Sequence, residues 1–270
     1  MKKDIINTKK LIEHGSVIEE HIATNAVING EVRNWQTLHY RGACNAESVF
    51  LPSIENPIKI GVFGVSGFSR ESVDIILCDC IDELIYVDLA PDDSMYFGFP
   101  AVPEEKIPQL VKEGYSFVIG LGDNKTRKKI YERYKHLSFP NIIHPTASLG
   151  YKQLEILKKR KGNIITAGVR ITNNIVMGDF GIYNLNSTVG HDCIIENFIN
   201  LAPGANISGN VILKEGAYIG TNAAILQGKS IEKKLEIGEF STVGAGSVVT
   251  KHIDAFTTVV GIPAKLITKH

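Results

Sequence analysis

Large apolar residues recur at every sixth position through the C-terminal half of the chain. Fifteen consecutive positions between residues 165 and 249 follow this period without a break. They are Ile165, Ile171, Met177, Tyr183, Val189, Ile195, Leu201, Ile207, Leu213, Ile219, Ile225, Ile231, Ile237, Val243 and Val249. A period of six fits neither an amphipathic helix, which repeats every 3.6 residues, nor an alternating strand, which repeats every two. It predicts a β-solenoid in which three hexapeptides form one triangular coil.

The residues around each large position refine this prediction. Each large side chain is expected to point inward and to stack on its equivalent one coil away, about 4.8 Å along the axis. Small residues follow four positions later at Ser187, Cys193, Ala205, Ala217, Ala223, Ser241 and Ser247. Glycine follows the large residue directly at Gly178, Gly190, Gly220, Gly238 and Gly244. We expect glycine and asparagine near the corners because a positive φ costs them little.

Three segments bear on the limits of the repeat. The pair Ile142-Ile143 predicts one further coil before the uninterrupted run. The segment from Lys152 to Lys161 interrupts the pattern and predicts a short helix or a loop. The segment from Lys229 to Leu235 keeps the period but places lysine at a position that is normally small, so we expect a bulged loop there.

The N-terminal half has the alternation of a smaller α/β unit. Its predicted elements are strands at 57–63, 84–88 and 116–121 and helices at 70–80 and 125–135, the last of them with a basic surface. The chain is therefore predicted to have three parts. These are an N-terminal extension of unknown role (1–56), an α/β domain (57–140) and the coils (141–270).

A glycine-containing turn, Gly64-Val65-Ser66-Gly67, joins the first strand of this unit to its first helix. Such a turn can present backbone N–H groups to a phosphate at the helix N-terminus, or it can merely close a tight connection. The dinucleotide pattern G-x-G-x-x-G is absent, because Val62 stands where its first glycine would be, so NAD is not predicted. Asp88 at the carboxyl end of the second strand favours a bound ligand at this edge of the sheet.

Composition narrows the class of partner. The 270 residues carry 29 basic and 29 acidic side chains, which gives a net charge of zero, and 44% of them are hydrophobic. This balance argues against a broad surface for nucleic acid or for an anionic membrane, and no apolar run reaches the ~18 residues of a membrane helix. The four cysteines form no CxxC pair and the N-terminus lacks an apolar signal segment. We therefore expect a cytoplasmic protein with free thiols.

The regular coils contain a single histidine, His191. It follows Val189 by two residues, which places it at an outward-facing corner. Gly209 is its equivalent one coil further along, so we expect open space above the imidazole. Asp192 comes next, and a neighbouring carboxylate orients an imidazole and stabilises its protonated form. The pair is a candidate catalytic base, against the common alternative of an inert exposed histidine.

Several segments taken together resemble one family. They are Gly64 to Gly67, Gly122 to Tyr131, Val189 to Val211, Gly244 to Val249 and Val260 to Lys265. From about residue 58 to about residue 267 the chain resembles the bacterial nucleotide-amino-sugar N-acetyltransferases of the bacillosamine and perosamine type, and related sialic-acid O-acetyltransferases. The resemblance implies a Rossmann-like domain that binds a nucleotide-linked amino sugar, followed by a left-handed parallel β-helix. It also implies acetyl-CoA as co-substrate, a homotrimer and no metal.

The resemblance implies roles for matching positions, with His191 as the general base and Asp192 as its acidic neighbour. It implies a nucleotide-sugar site at Ser66, Gly67, Phe68, Asp88, Gly122, Asn124 and Asn184. It implies a coenzyme site at Asn200, Gly209, Thr221, Ala245 and Lys265. The chain departs from the family where Asn200 replaces a histidine that contacts acetyl-CoA, where Phe68 replaces a histidine of the glycine turn, and where Ile262 replaces an asparagine of the closing motif. The implied nucleotide is UDP or dTDP, whose bases both offer an imide N–H to Asp88.

These implications lead to an expected mechanism and to alternatives. We expect direct transfer, in which His191 takes a proton from the attacking amine while N–H groups near Gly209 stabilise the oxyanion. Cys193 is expected to point into the coil and to take no part. The alternatives are O-acetylation of a sugar hydroxyl and a catalytically inactive sugar-nucleotide scaffold. A zinc carbonic anhydrase on the same solenoid is disfavoured, because it needs three histidine ligands and the coils supply one.

Overall fold

The structure, a computed structural model, describes residues 25–28, 31–34, 58–78, 81–91 and 94–267. Most of the predicted N-terminal extension and the start of the first predicted strand therefore lie outside the described residues. Within the extension, β1 (Asn25–Ile28) and β2 (Glu31–Asn34) form an antiparallel pair.

The α/β domain is built on a five-stranded sheet with the strand order β5-β6-β4-β3-β7. Its strands are β3 (Lys59–Phe63), β4 (Glu83–Asp88), β5 (Met95–Tyr96), β6 (Phe99–Pro103) and β7 (Ser116–Ile119). Its helices are α1 (Gly67–Ile76), α2 (Ile107–Lys112), which follows a 3-10 turn at Glu104–Lys106, and α3 (Asn124–Arg133). All pairs are parallel except β5 with β6. The predicted strands and helices are confirmed, with ends that shift by a few residues.

The C-terminal half forms triangular coils whose short strands stack into three flat faces. Face one contains β8 (Ile142–Ile143), β10 (Ile164–Ile165), β13 (Ile182–Tyr183), β16 (Asn200–Leu201), β19 (Tyr218–Ile219), β22 (Thr242–Val243), β24 (Thr258–Val260) and the antiparallel β25 (Lys265–Leu266). Face two contains β9 (Ser148–Leu149), β11 (Arg170–Ile171), β14 (Thr188–Val189), β17 (Asn206–Ile207), β20 (Ala224–Ile225) and β23 (Val248–Val249). Face three contains β12 (Val176–Met177), β15 (Ile194–Ile195), β18 (Val211–Leu213) and β21 (Leu235–Ile237). The predicted early coil begins at β8, and the predicted interruption is a short helix, α4 (Gln153–Leu157).

The period-six residues form the interior of the coils, with one exception. Pairs such as Val189 with Ile207 stack in register 18 residues apart, and the predicted small residues such as Ala205 and Ser241 are fully buried between them. The exception is Ile231, which is 58% exposed. Its inward placement was wrong because Val211 pairs with Leu235, 24 residues away, so six additional residues leave the coil as a loop. The predicted bulge at this point is confirmed.

The corners of the coils confirm the expected reason for some glycines and correct it for others. A positive φ occurs at the corner residues Gly168, Gly204, Gly216 and Gly246 and at Asn174, Asn186, Asn210 and Asn222. The five glycines that follow a large residue do not have a positive φ. Glycine is instead required by the next coil. A Cβ built on Gly190, for example, would lie 2.6 Å from the backbone nitrogen of Gly209. The close approach of successive coils therefore explains these glycines, and a positive φ does not.

The α/β domain packs on the first coils through two apolar contacts. On face one, the outward side chains Ile142, Ile164 and Ile182 join the core under β3 and α1. At the corner between faces three and one, Phe180 and Phe198 stack 5.2 Å apart, and Tyr131 of α3 packs on Phe180 at 4.4 Å. The edge of the sheet that carries the glycine turn is thereby fixed against the coils.

Arg127 lies at this junction, and the expected basic surface of α3 was wrong for this residue. Its side chain is fully buried, and its guanidinium makes six hydrogen bonds. The acceptors are the carbonyls of Leu121, Gly122, Phe180, Phe198 and Ile199 and the Oδ1 atom of Asn124. Burial lowers the pKa of Arg127 to about 9, so the side chain is still protonated at neutral pH. A buried cation held by carbonyls from both domains joins them at the turn that follows β7.

Candidate active site

His191 and Asp192 form a hydrogen-bonded pair at the corner between faces two and three. The Nδ1 atom of His191 lies 2.6 Å from Oδ2 of Asp192, and the imidazole is 49% exposed. Asp192 has a left-handed φ of 59°, which turns its carboxylate back toward the preceding imidazole. Its other oxygen, Oδ1, accepts a hydrogen bond from Nδ2 of Asn174, one coil below. The pair therefore leaves Nε2 of His191 as the ring nitrogen that can serve a ligand.

These hydrogen bonds also set the charge of Asp192. The hydrogen bond from His191, followed by that from Asn174, holds the pKa of the Asp192 carboxyl below its usual range. Asp192 is therefore ionised at neutral pH and accepts at both oxygens. An ionised carboxylate on Nδ1 orients the ring and stabilises the imidazolium that forms when Nε2 takes a proton.

Gly209 lies directly above His191 in the next coil. A Cβ built on Gly209 would lie 2.6 Å from both Nε2 and Cε1 of the imidazole. Among the described residues, the Gly209 N–H donates to no acceptor, whereas the next N–H, of Asn210, donates to the His191 carbonyl at 2.9 Å. The imidazole of His191 therefore occupies the space that a side chain on Gly209 would fill, and the N–H of Gly209 is unpaired among the described residues.

Cys193 follows the pair but points into the coil. It is 1% exposed, and its Sγ donates to the Ser208 carbonyl at 3.2 Å. Burial raises the pKa of this thiol to about 11, so it is not a thiolate at neutral pH. The inward orientation expected for Cys193 is confirmed, and the thiol is poorly suited to act as a nucleophile.

Three other predicted residues lie at a different corner, between faces one and two. Thr221 and Ala245 are equivalent positions on successive coils, and both are exposed. Asn184 lies at the same corner two coils before Thr221, and its Oδ1 accepts from the Leu185 N–H at 2.7 Å. A single chain therefore does not bring Asn184, Thr221 and Ala245 together with His191.

The predicted nucleotide residues lie at the carboxyl edge of the α/β sheet. Ser66 is the N-cap of α1: its hydroxyl accepts from the Ser69 N–H, and the Ser69 side chain bonds back to the Ser66 N–H. Gly67 is exposed and Phe68 is half-buried against the core. Asp88 ends β4, and its Oδ1 accepts from the Leu89 N–H. Gly122 follows β7, and these residues together border the carboxyl ends of three adjacent strands.

The side chains of Asn124 and Asn200 make contacts between the domains. Asn124 donates to the Gly216 carbonyl at 2.8 Å and accepts from Arg127. Asn200, which is 7% exposed, donates to the Gly122 carbonyl at 2.8 Å. Its Oδ1 is buried without a partner in the described part of the chain. Both side chains therefore serve to position the turn at Gly122.

The last predicted residue, Lys265, lies in β25 on the exposed end of the coils. Ile262 nearby is exposed as well. The strands β24 and β25, which flank Ile262 and include Lys265, extend face one, whereas His191 lies at the corner between faces two and three.

Three residues that contact the site were missed by the sequence analysis. Asn174 is detectable in retrospect, because it precedes Asp192 by the 18-residue period and the two side chains then share a corner. Arg127 has no such signal, since its neighbours in α3 are solvent-facing lysines. Lys234, whose Nζ donates to the backbone carbonyl of Asp192, comes from the additional loop, where the repeat gives no register.

The described residues contain no group of three or more His, Cys, Asp or Glu side chains that could hold a metal ion. Nor does any helix among them have the length and apolar character needed to cross a bilayer.

Comparison with known proteins finds relatives that match both the α/β domain and the coils. The family model described as the PglD N-terminal domain matches residues 59–134. The chain is 33% identical over 215 residues to GDP-perosamine N-acetyltransferase from Escherichia coli O157:H7, covering 76% of this chain and 94% of that protein. A histidine-to-asparagine variant of perosamine N-acetyltransferase from Caulobacter crescentus, in complex with CoA and GDP-perosamine, has a TM-score of 0.69 at 25% identity and covers 81% of this chain and 100% of its own. The acetyltransferase domain of PglB from Neisseria gonorrhoeae FA1090, in complex with acetyl coenzyme A, has a TM-score of 0.67 at 26% identity and covers 77% of this chain and 98% of its own.

The stacked coils and these relatives together define an acetyltransferase of the hexapeptide-repeat class. The chain belongs to the family of acyl-CoA-dependent sugar N-acetyltransferases. The family and the left-handed β-helix expected from the sequence are confirmed, as is acetyl-CoA as the family's co-substrate.

Proposed function

We propose that this protein transfers the acetyl group of acetyl-CoA to the amino group of a nucleotide-linked amino sugar, with His191 as the general base. The observation that carries the proposal is the exposed imidazole whose Nδ1 is held by Asp192 at 2.6 Å. The other ring nitrogen, Nε2, is then free to accept a proton. The relatives named above supply the class of donor and acceptor.

The proposed reaction is a direct transfer. The neutral amine attacks the thioester carbonyl, so that a C–N bond forms while Nε2 of His191 removes the proton that the nitrogen loses. The oxyanion is stabilised by backbone N–H groups, and the candidate donor is the unpaired N–H of Gly209, the residue one coil above His191. Collapse breaks the C–S bond, and the imidazolium returns the proton to the departing thiolate. Cys193 takes no part, which agrees with its burial and raised pKa.

The nucleotide moiety is proposed to bind at the carboxyl edge of the α/β sheet, between the Ser66–Phe68 turn, Asp88 and Gly122. The resemblance implied UDP or dTDP, whereas the two perosamine enzymes are named for a GDP-linked or perosamine substrate. A carboxylate such as Asp88 can accept from the two adjacent N–H groups of guanine as readily as from the single imide N–H of uracil or thymine. We therefore propose a GDP-linked amino sugar first, with UDP- and dTDP-linked sugars as the alternatives.

We further propose that the complete site forms between copies of the chain in a homotrimer. The support is the placement of Asn184, Thr221 and Ala245 on one corner of the coils and of His191 and Gly209 on another. A ligand that uses both sets needs two chains. Light scattering tests this directly: a trimer has three times the 29.6 kDa chain mass, and a monomer at working concentration contradicts it.

The test of the activity is thiol release from acetyl-CoA with GDP-, UDP- and dTDP-linked amino sugars as acceptors. The expected result is transfer to the amine by the wild-type protein and a loss of about 10²- to 10⁴-fold in His191→Ala. His136→Ala, which changes an exposed histidine outside the coils, is the matched control and is expected to keep full activity. Unchanged transfer in His191→Ala contradicts the mechanism, an O-acetylated product favours the alternative acceptor, and no transfer by wild type favours the scaffold.

A further inference from the structure

The loop of six additional residues, 229–234, is the part of the coils that the mechanism does not use. We refer to it as the inserted loop. Its two ends lie side by side: the Gly228 N–H donates to the Gly209 carbonyl at 3.1 Å, and the Leu235 N–H donates to the Asn210 carbonyl at 3.0 Å. A Cβ on Gly228 would lie 2.9 Å from Cα of Lys234. The inserted loop therefore leaves the coil at the corner of His191, two coils above it.

Hydrogen bonds within the inserted loop give it a defined shape. The Lys229 N–H donates to the Lys233 carbonyl at 2.9 Å, and the Lys233 N–H donates back to the Ser230 carbonyl at 3.2 Å. The Ser230 hydroxyl also donates to Glu232 at 2.9 Å. These hydrogen bonds close the inserted loop on itself. They thereby fix the backbone position from which the side chain of Lys234, the last residue of the loop, extends.

The side chain of Lys234 runs down the corner toward the catalytic pair. Lys234 is the register equivalent of Asn210, which in turn is the equivalent of Asp192 one coil below. Asn210 between them is only 6% exposed. The Nζ atom of Lys234 donates to the backbone carbonyl of Asp192, so a loop residue holds the backbone of the residue that holds His191.

We propose that Lys234 is a positioning residue for the general base, which it supports by fixing the backbone of Asp192 from above. Asp192 has the left-handed conformation that a side chain with a Cβ adopts at a cost, and it is fixed from below by the Asn174 side chain. Lys234 supplies the hydrogen bond on the opposite side. Its ammonium also places a positive charge near the carboxylate, which favours the ionised form that accepts from Nδ1. This inference rests on the proposed role of His191.

Four variants test the proposal. Lys234→Met keeps the length of the side chain without the ammonium, and Lys234→Arg restores a cationic donor. Lys233→Met is the matched control, since Lys233 is exposed and enters the loop hydrogen bonds only through its backbone. Deletion of residues 229–234 joins Gly228 to Leu235 and restores the 18-residue spacing from Val211, so the coils are expected to remain folded without the loop.

The expected kinetic result separates positioning from general stability. Lys234→Met and the deletion are expected to lower kcat roughly tenfold, within the loss of up to hundredfold that a small misplacement causes. The KM values for both substrates and the thermal midpoint are expected to stay close to those of wild type. Lys234→Arg recovers most of kcat and Lys233→Met has no effect. Wild-type kcat in Lys234→Met, or an equal loss in Lys233→Met, overturns the proposal.

A second readout does not depend on acyl transfer. Diethyl pyrocarbonate acylates neutral imidazole, and mass spectrometry gives the modification rate of His191 separately from the other histidines. Loosening of Asp192 releases the imidazole from its fixed orientation, so the rate at His191 is expected to change about two- to fivefold in Lys234→Met and not in Lys233→Met. If wild type transfers no acetyl group but this difference is found, the proposed function fails while the positioning holds. Equal rates in the two variants overturn the positioning.

Discussion

Gly209 and His191 are equivalent positions on successive coils, and the imidazole occupies the space that a side chain on Gly209 would fill. A Cβ there would lie 2.6 Å from Nε2 and Cε1. Because the ring is half exposed, it can swing away instead of straining the coil. Gly209→Ala is therefore expected to lower kcat at least about tenfold by displacing the base, with little change in the thermal midpoint. Initial rates and thermal unfolding of the same preparation measure both effects.

Gly190→Ala is the informative comparison, because it introduces the same methyl group against backbone atoms. Its Cβ would lie 2.6 Å from the Gly209 nitrogen and 2.7 Å from the Ser208 carbonyl carbon. Backbone cannot move aside as a side chain can, so a cost of roughly 1–3 kcal/mol in the free energy of unfolding is expected. If Gly209→Ala instead loses stability as Gly190→Ala does and keeps its rate, Gly209 serves the coil and not the base.

Arg127 gives a prediction about how the two domains hold together. Replacing it with methionine leaves buried carbonyls on both sides of the junction without a donor, among them those of Phe198 and Ile199. A loss of about 3 kcal/mol or more in the free energy of unfolding is expected, measured by urea denaturation. Arg127→Lys recovers only part of this loss, because one ammonium cannot reach acceptors that surround a planar guanidinium.

Arg133→Met in the same helix is the matched control. Arg133 is more than half exposed and pairs with Glu104 at 2.8 Å, and a solvent-exposed ion pair of this kind contributes little to stability. Equal losses in the two variants would mean that the buried guanidinium contributes no more than a surface pair.

The coils could be predicted closely from the sequence, and the reason is geometric. Each hexapeptide has one interior position, so the same choice of residue recurs and the register follows by counting. The prediction failed at Ile231 because the additional loop has the length of one hexapeptide and so preserves the period. Counting cannot distinguish six residues inside a coil from six residues outside it. Only the charged neighbours, such as Lys229, marked the loop.

The candidate site was predictable in part. His191 and Asp192 follow from their place on a corner, and Asn174 from the same register one coil below. Asn124 and Asn200 could not be placed, because their partners at Gly216 and Gly122 lie 92 and 78 residues away in the other domain. Contacts between domains depend on how two rigid surfaces meet, and no period along the chain encodes that.

Cys193 offers a test of direct transfer. Its thiol is buried, and its pKa of about 11 keeps it protonated at neutral pH. Cys193→Ala is expected to keep the rate of acetyl transfer within about twofold and to cost less than about 1.5 kcal/mol of stability, as similar-sized interior changes do. Steady-state rates measure the first and urea unfolding the second. A loss of more than about hundredfold in a folded variant would indicate an acyl-enzyme route through sulfur.

The hydrogen bond between Asn174 and Asp192 predicts a shift in a titration. Hydrogen bonds from His191 and Asn174 hold the pKa of Asp192 below its ordinary value of 3.8. The stabilisation that this provides is fully present above that ordinary value and is lost as the pH falls through the lower folded value. Asn174→Ala removes one donor, so the pKa of Asp192 is expected to rise toward 3.8. Carbon-detected NMR titration of the Asp192 carboxyl measures it.

Asn222→Ala is the control for this titration, because Asn222 has nearly the same left-handed φ, 55° against 54° for Asn174, but lies at another corner. Both variants put alanine into the left-handed region, at a cost of roughly 1–2 kcal/mol, so stability alone does not distinguish them. Only Asn174→Ala is expected to move the Asp192 titration. The same midpoint in Asn174→Ala and wild type would mean that the hydrogen bond from His191 alone holds the carboxylate ionised, and that Asn174 acts on the corner without acting on its charge.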